Sequence, residues 1–216
     1  MQRSEQAEGH PRRLVSTRRL EAFTDGVFAI AATLLVLELS TDSLNKANSD
    51  DAMWHALLGL GPSVLNFGVS FVLLAFLWKV HVRQFEYISQ ADTVMLWLNS
   101  LRLLGVVFVP FATSLNDDFS DYLAGRMLLP ITFLWVVVLG AVQWFYASSR
   151  SRYLLEGIPA GVIQNGRAGG IAVVILAVGV VLLSTVVGSF AFFLFVLNPA
   201  VTALTKRMRW GGQAQA

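Results

Sequence analysis

Apolar runs of about twenty residues, each long enough to cross a bilayer as a helix, alternate with short polar connections along the chain. Six such runs stand out: Leu20 to Leu39, Ala56 to Val80, Thr93 to Leu115, Tyr122 to Ala147, Gly169 to Val187 and Phe190 to Thr205. Only Gly188 and Ser189 separate the last two. As one helix they would span about twice the hydrocarbon core, so a hairpin is expected there. The pattern predicts an all-α, polytopic membrane protein with six transmembrane helices. A polar tail over 1–18 precedes the helical unit over 19–205, and a second tail over 206–216 follows it.

Composition agrees with this pattern and removes alternatives. The 216 residues are 55% hydrophobic and 14% charged, with a mean hydropathy of +0.61, which is too apolar for a soluble globular domain. The 16 basic and 14 acidic residues nearly balance, so the pI of about 9.2 gives no reason to expect a nucleic-acid partner. With no cysteine, disulfides, thiolate metal sites and cysteine nucleophiles are excluded. The histidines are His10, His55 and His81, and no HExxH or nucleophile constellation accompanies them, so an enzyme is not expected. No cleavage pattern of small residues follows the first apolar run. That run is therefore expected to be retained, despite the arginine pairs Arg12-Arg13 and Arg18-Arg19 before it.

Charge placement sets an orientation. Basic residues gather in the N-terminal tail (Arg3, Arg12, Arg13, Arg18, Arg19), the second connection (Lys79, Arg83), the fourth (Arg150, Arg152, Arg167) and the C-terminal tail (Lys206, Arg207, Arg209). The other connections are acidic or uncharged, with Asp42, Asp50 and Asp51 against Lys46, and then Asp117, Asp118 and Asp121. Six spans with both termini cytoplasmic satisfy the positive-inside rule at every connection. No internal repeat is evident, which disfavours the paired inverted halves of many secondary transporters.

At these depths most polar groups within the spans fall in one inner layer: Thr24 and Asp25, Trp78 and His81, Asn99 and Arg102, and Asn198. Such a layer suits a buried hydrogen-bonded network, in which Asp25 pairs with Arg19 or Arg102 and His81 or Asn99 satisfies its remaining lone pairs. The competing reading has Arg19 and Lys79 snorkelling to the interface, Trp78 in an aromatic belt and His81 as a packing residue. Asp25 is too short to snorkel far.

The first span has distinct faces. At 100° per residue Ile30, Leu34 and Leu37 form a narrow stripe, which Phe23 and Val27 extend inward. Ala22, Gly26, Ala29 and Thr33 form a small-residue stripe about 70° away, where another helix can approach closely. Asp25 lies about 140° from Ile30, so the two do not face one lumen on a regular helix. Spacing alone leaves the Ile/Leu stripe facing lipid, core or a pore.

The run Arg19-x-x-x-Phe23-Thr24-Asp25 resembles the RxxxFSD signature of the transmembrane protein 175 family, potassium channels of lysosomes and prokaryotes. GVFAIAATLLVLEL after it is similar to that family's first helix, as are Trp78-x-x-His81 in the second span and Asn99-x-Leu101-x-Leu103-Leu104 with Pro110-Phe111 in the third. Thr24 stands where the family usually has serine, and the hydroxyl is kept. The likeness is close over the first three spans; beyond them it is one of length and hydropathy.

The resemblance implies a homotetramer in the plasma membrane of a prokaryote, permeable to K⁺ and needing no cofactor, with the first helix of each subunit lining the pore. It implies an apolar constriction at Ile30, Leu34 and Leu37, a role in ion selectivity for Thr33, and a structural polar network of Arg19, Phe23, Thr24, Asp25, Trp78, His81 and Asn99. No TVGYG-like filter is present, and the constriction that the resemblance implies would gate by dewetting. Glu38 and the acidic outer connections would concentrate cations at the mouth. The alternative is a proton-coupled secondary transporter in which Asp25 and His81 titrate.

Overall fold

The structure, a computed structural model, describes residues 15–42, 44–149 and 153–210. Arg3, Arg12, Arg13, Arg150, Arg152 and the stretch 211–216 lie outside the described residues. Helix α1 (Thr17–Leu34) tightens into a 3₁₀ turn over Leu35–Glu38. After it come α2 (Asp50–Gly59), α3 (Gly61–Phe85), α4 (Thr93–Asp118), α5 (Leu123–Ser148) and α6 (Ala160–Val187). A 3₁₀ segment over Gly188–Leu197 leads into α7 (Asn198–Trp210).

Among the described residues five segments are long and apolar enough to cross a membrane, the fifth being the 48 residues Ala160–Arg207. That fifth segment is bent back on itself. Gly188 takes φ 60°, a conformation that side chains resist, and the chain after it returns along α6. Leu194 comes to lie against Gly179, and Thr205 Oγ1 donates to the Ala168 carbonyl at 3.2 Å, so the two limbs run antiparallel.

The starts of two spans move from those expected, and the second runs on past Val80 to Phe85, so Lys79 and Arg83 are helix residues and not part of the connection. The second begins at Gly61, not Ala56, because Pro62 lacks an N–H and opens a new helix, leaving the preceding residues in the separate α2. The fifth begins at Ala160, not Gly169, since Asn165 and Arg167 interrupt the apolar run but not the helix. Arg167 is therefore a helix residue and not part of the connection. Its Nε and Nη2 donate to Ser148 Oγ and O at 2.9 and 2.8 Å, capping α5.

The main core joins α1, α3, α4, α5 and α6 through Phe28, Leu74, Val106, Phe133, Val136 and Val180. A second cluster, including Leu20, Met95, Trp144 and Tyr153, closes the end of the bundle where Arg83, Arg167 and Lys206 lie, here called the basic end. The all-α expectation needs one amendment at this end. Strand β1 (Val15–Ser16) pairs antiparallel with β2 (Gln90–Ala91), tying the entry of α1 to the α3–α4 connection. Buried Asp92 caps α4 through the Met95 N–H at 3.0 Å and accepts from the Tyr146 and Tyr153 hydroxyls at 2.7 and 2.6 Å. One carboxylate thus fastens three segments.

At the opposite end α5 starts hard against the residues that close α4. A Cβ at Gly125 would collide with the Phe119 carbonyl oxygen. Gly125→Ala should accordingly destabilise the bundle by about 1–3 kcal/mol, read as a lower melting temperature in detergent.

Candidate functional site

Helix α1 buries one face only. Leu20, Thr24, Phe28, Ala31 and Leu35 are enclosed, at helical spacing, against α3 and α4. Much of the rest is left open by the described residues, with Ile30 at 61% exposure and Leu37 at 73%, while Leu34 is at 38% and Val27 and Ala32 are half-buried against the core. Leu37 sits on the 3₁₀ turn, whose three residues per turn keep it above Leu34. The small stripe Ala22, Gly26, Ala29 and Thr33 is also open, and a Cβ at Gly26 would meet nothing within 4 Å. Thr33 Oγ1 donates to the Ile30 carbonyl at 2.8 Å.

The polar residues of the inner layer fall into two separate groups. In the first, Trp78 Nε1 donates to Asp25 Oδ1 at 2.9 Å, joining α3 to α1. In the second, Asn99 Nδ2 donates to Thr24 Oγ1 at 2.9 Å, with both residues fully buried. Gln143 Nε2 donates to Asn99 Oδ1 at 3.4 Å, and Arg102 Nη1 donates to Gln143 Oε1 at 3.4 Å. Arg102 also donates to Gln84 Oε1 at 3.3 Å, to the Leu77 carbonyl at 3.4 Å and toward His81 Nδ1 at 3.5 Å. His81 is buried and packs between the rings of Phe28 and Phe85. Gly140 leaves room for the guanidinium, whose Cζ lies 3.1 Å from where a Cβ would stand.

Several placements differ from the sequence expectation. The partner of Asp25 is the Trp78 indole and not Arg19 or Arg102. Asp25 and Thr24 are adjacent on a helix and so point about 100° apart, Thr24 toward α4 and Asp25 toward α3. Arg19 and Phe23 are exposed and make no side-chain hydrogen bond among the described residues. Asp25 and His81 belong to different groups, with no hydrogen bond between them. Asn198 opens α7 and, among the described residues, shares no hydrogen bond with this network, accepting instead from Thr202 Oγ1 at 3.2 Å.

Polar groups also gather in a second layer near the opposite end, which the single-layer expectation missed. Asn116 Nδ2 donates to Asn66 Oδ1 and Ser189 Oγ at 2.9 and 2.8 Å, and Thr113 Oγ1 donates to Ser70 Oγ at 2.8 Å. This cluster fastens the Gly188 turn to α3 and α4. Gln84 and Gln143 were missed as well, although an amide inside an apolar run signals a required partner.

Comparison with known proteins bears on this arrangement. Residues 19–110, which hold α1, α3 and the network residues of α4, match the family model described as endosomal/lysosomal potassium channel TMEM175. A potassium channel of Chamaesiphon minutus is 35% identical over 143 residues, covering 65% of this chain and 70% of that protein. The chain belongs to the TMEM175 family. A potassium channel of Streptomyces collinus is 34% identical over 131 residues, 58% of this chain, and the chain spans 62% of that relative's length. The chicken protein, named an endosomal/lysosomal proton channel TMEM175, is 37% identical over 112 residues, half of this chain but 22% of its own length. The crystal structure of a potassium-selective TMEM175 homologue from Chamaesiphon minutus matches with a TM-score of 0.67 at 28% identity, covering 88% of this chain and 97% of that one. Membership of TMEM175 makes the chain a multi-pass membrane protein of an ion-channel family, not an enzyme.

Proposed function

We propose that this chain is the subunit of a potassium-permeable channel, in which four copies place α1 around a central axis. The observation that carries this reading is the uncovered face of α1, apolar at Ile30, Leu34 and Leu37, in a relative of proteins named potassium channels. Ile30, Leu34 and Leu37 form the constriction, and Thr33, its hydroxyl tied to the Ile30 carbonyl, tunes the preference for K⁺. The small stripe receives the neighbouring subunit. Six crossings follow if both limbs of the Gly188 hairpin span the bilayer, with both termini cytoplasmic and the helical unit running over 19–205 between two tails. The relatives from bacteria favour the plasma membrane of a prokaryote. Permeation needs only K⁺ and no cofactor.

Ions cross such a site when the apolar ring widens enough to hydrate. Asp25 and Trp78, with Thr24 and Asn99, hold α1 against α3 and α4, so that each subunit keeps the shape on which its neighbours assemble. Reconstituted flux of K⁺ against Na⁺, together with the oligomer mass, tests the whole reading. Accumulation of an ion against its gradient, lost in Asp25→Asn, would replace the channel by the transporter. Asp25→Ala should lower the fraction of assembled tetramer while leaving the K⁺/Na⁺ ratio of the survivors unchanged. A stable tetramer with altered ion preference contradicts the clamp role.

A further inference from the structure

A cavity of about 380 Å³ lies between α3, α5, α6 and α7 and extends toward the basic end. Its described lining includes Arg83, Arg102 and Lys206 and no acidic residue. Arg83 and Lys206 are exposed, whereas Arg102 is 1% exposed. The situation of Arg102 is unusual for an enclosed cation. Its acceptors are two amide oxygens, a backbone carbonyl and an imidazole nitrogen, at 3.3 to 3.5 Å, and none carries charge. A charge-assisted bond to a carboxylate or phosphate is about 2.7–2.9 Å long. Among the described residues Arg102 Nε has no hydrogen-bond partner. Enclosing a cation without a counter-charge is costly, so the wall of this cavity is short of one anion.

The rest of the wall selects the kind of anion. Phe76, Val80, Val137 and Val173 make most of its deeper part apolar, with Asn198 the polar side chain at that depth. The cavity therefore offers a cationic, hydrogen-bonding entrance above a mostly apolar slot, along helices apolar enough to span a membrane. We propose that it binds an anionic membrane lipid, with the phosphodiester between Arg83, Lys206 and Arg102 and an acyl chain against the apolar wall. The guanidinium that meets the phosphate also heads the chain Arg102, Gln143, Asn99, Thr24 into α1. Lipid occupancy thereby bears on the helix assigned to the ion path, a consequence that rests on the channel reading; binding itself does not.

Native mass spectrometry of the full chain, extracted from vesicles of equal parts phosphatidylglycerol and phosphatidylcholine, tests binding apart from conduction. Phosphatidylglycerol should be enriched about fivefold among retained lipids. The double variant Arg83→Gln/Lys206→Gln should abolish the enrichment with oligomer mass unchanged. So should Gly169→Leu, since a Cβ at this lining position meets nothing within 4 Å and the larger side chain grows into the cavity. Equal retention of the two lipids by the unaltered chain overturns the proposal, as does enrichment that survives in both variants. Inorganic phosphate in millimolar excess that stabilises the protein in place of lipid enrichment assigns the site to free phosphate and also overturns it.

Discussion

Replacing Ile30 by Asn is expected to raise K⁺ flux about tenfold in reconstituted vesicles, equivalent to lowering the permeation barrier by about 1.4 kcal/mol, and to narrow the difference between K⁺ and Na⁺. An isoleucine ring excludes water when closed, so an ion must shed hydration or wait for widening. An amide at the same place hydrates and coordinates without discriminating. The substitution is well placed for such a test because Ile30 projects from α1 with 61% of its surface uncovered by its own chain, so asparagine there disturbs no internal packing. Leu104→Asn is the matched control. Leu104 is equally uncovered, at 62%, but lies on α4, and its replacement should leave flux unchanged. If both substitutions behave alike, Ile30 is not the narrow point.

The second large effect is expected at Asn99. Its side chain donates to Thr24 on α1 and accepts from Gln143 on α5, and it is fully buried. Asn99→Leu leaves the Thr24 hydroxyl short of a donor and the Gln143 amide short of an acceptor, both of them buried. The expected cost is about 2–5 kcal/mol, from two buried groups left unsatisfied. Thermal melting and the yield of assembled protein should both fall sharply. Ser100→Ala, next door but exposed and bonded only within its helix to the Leu96 carbonyl, should change stability by less than about 0.5 kcal/mol. A melting temperature unmoved by Asn99→Leu would show that the Asn99–Thr24 bond does not hold α1 in place.

These two sites differ in how they are found. Ile30 is legible in sequence as part of a stripe, but the stripe gains meaning only because the described residues leave Ile30 and Leu37 mostly open. Asn99 announces itself as a polar residue in an apolar run, and the inner layer containing it was expected. The identity of its neighbours was not, for Thr24 lies 75 positions away along the chain. The mistaken partner for Asp25 has the same origin. Charge suggested an arginine, whereas the 100° step from Thr24 turns Asp25 toward the indole of Trp78, 53 positions distant. Hydropathy likewise ended the second and fifth spans by polarity, while Pro62 and the unbroken backbone through Arg167 set the true helix limits.

By itself the sequence determined that the chain is membrane-embedded and helical, that it turns back at Gly188, and that α1 carries the family signature, because hydropathy, glycine conformation and short motifs are local properties. The tertiary structure decided which polar groups meet, that a second polar layer around Asn66 and Asn116 anchors the hairpin, and that Arg102 is enclosed without a counter-charge beside an open cavity. A helix's periodicity fixes which residues share a face. What stands opposite that face depends on how helices distant in sequence pack together.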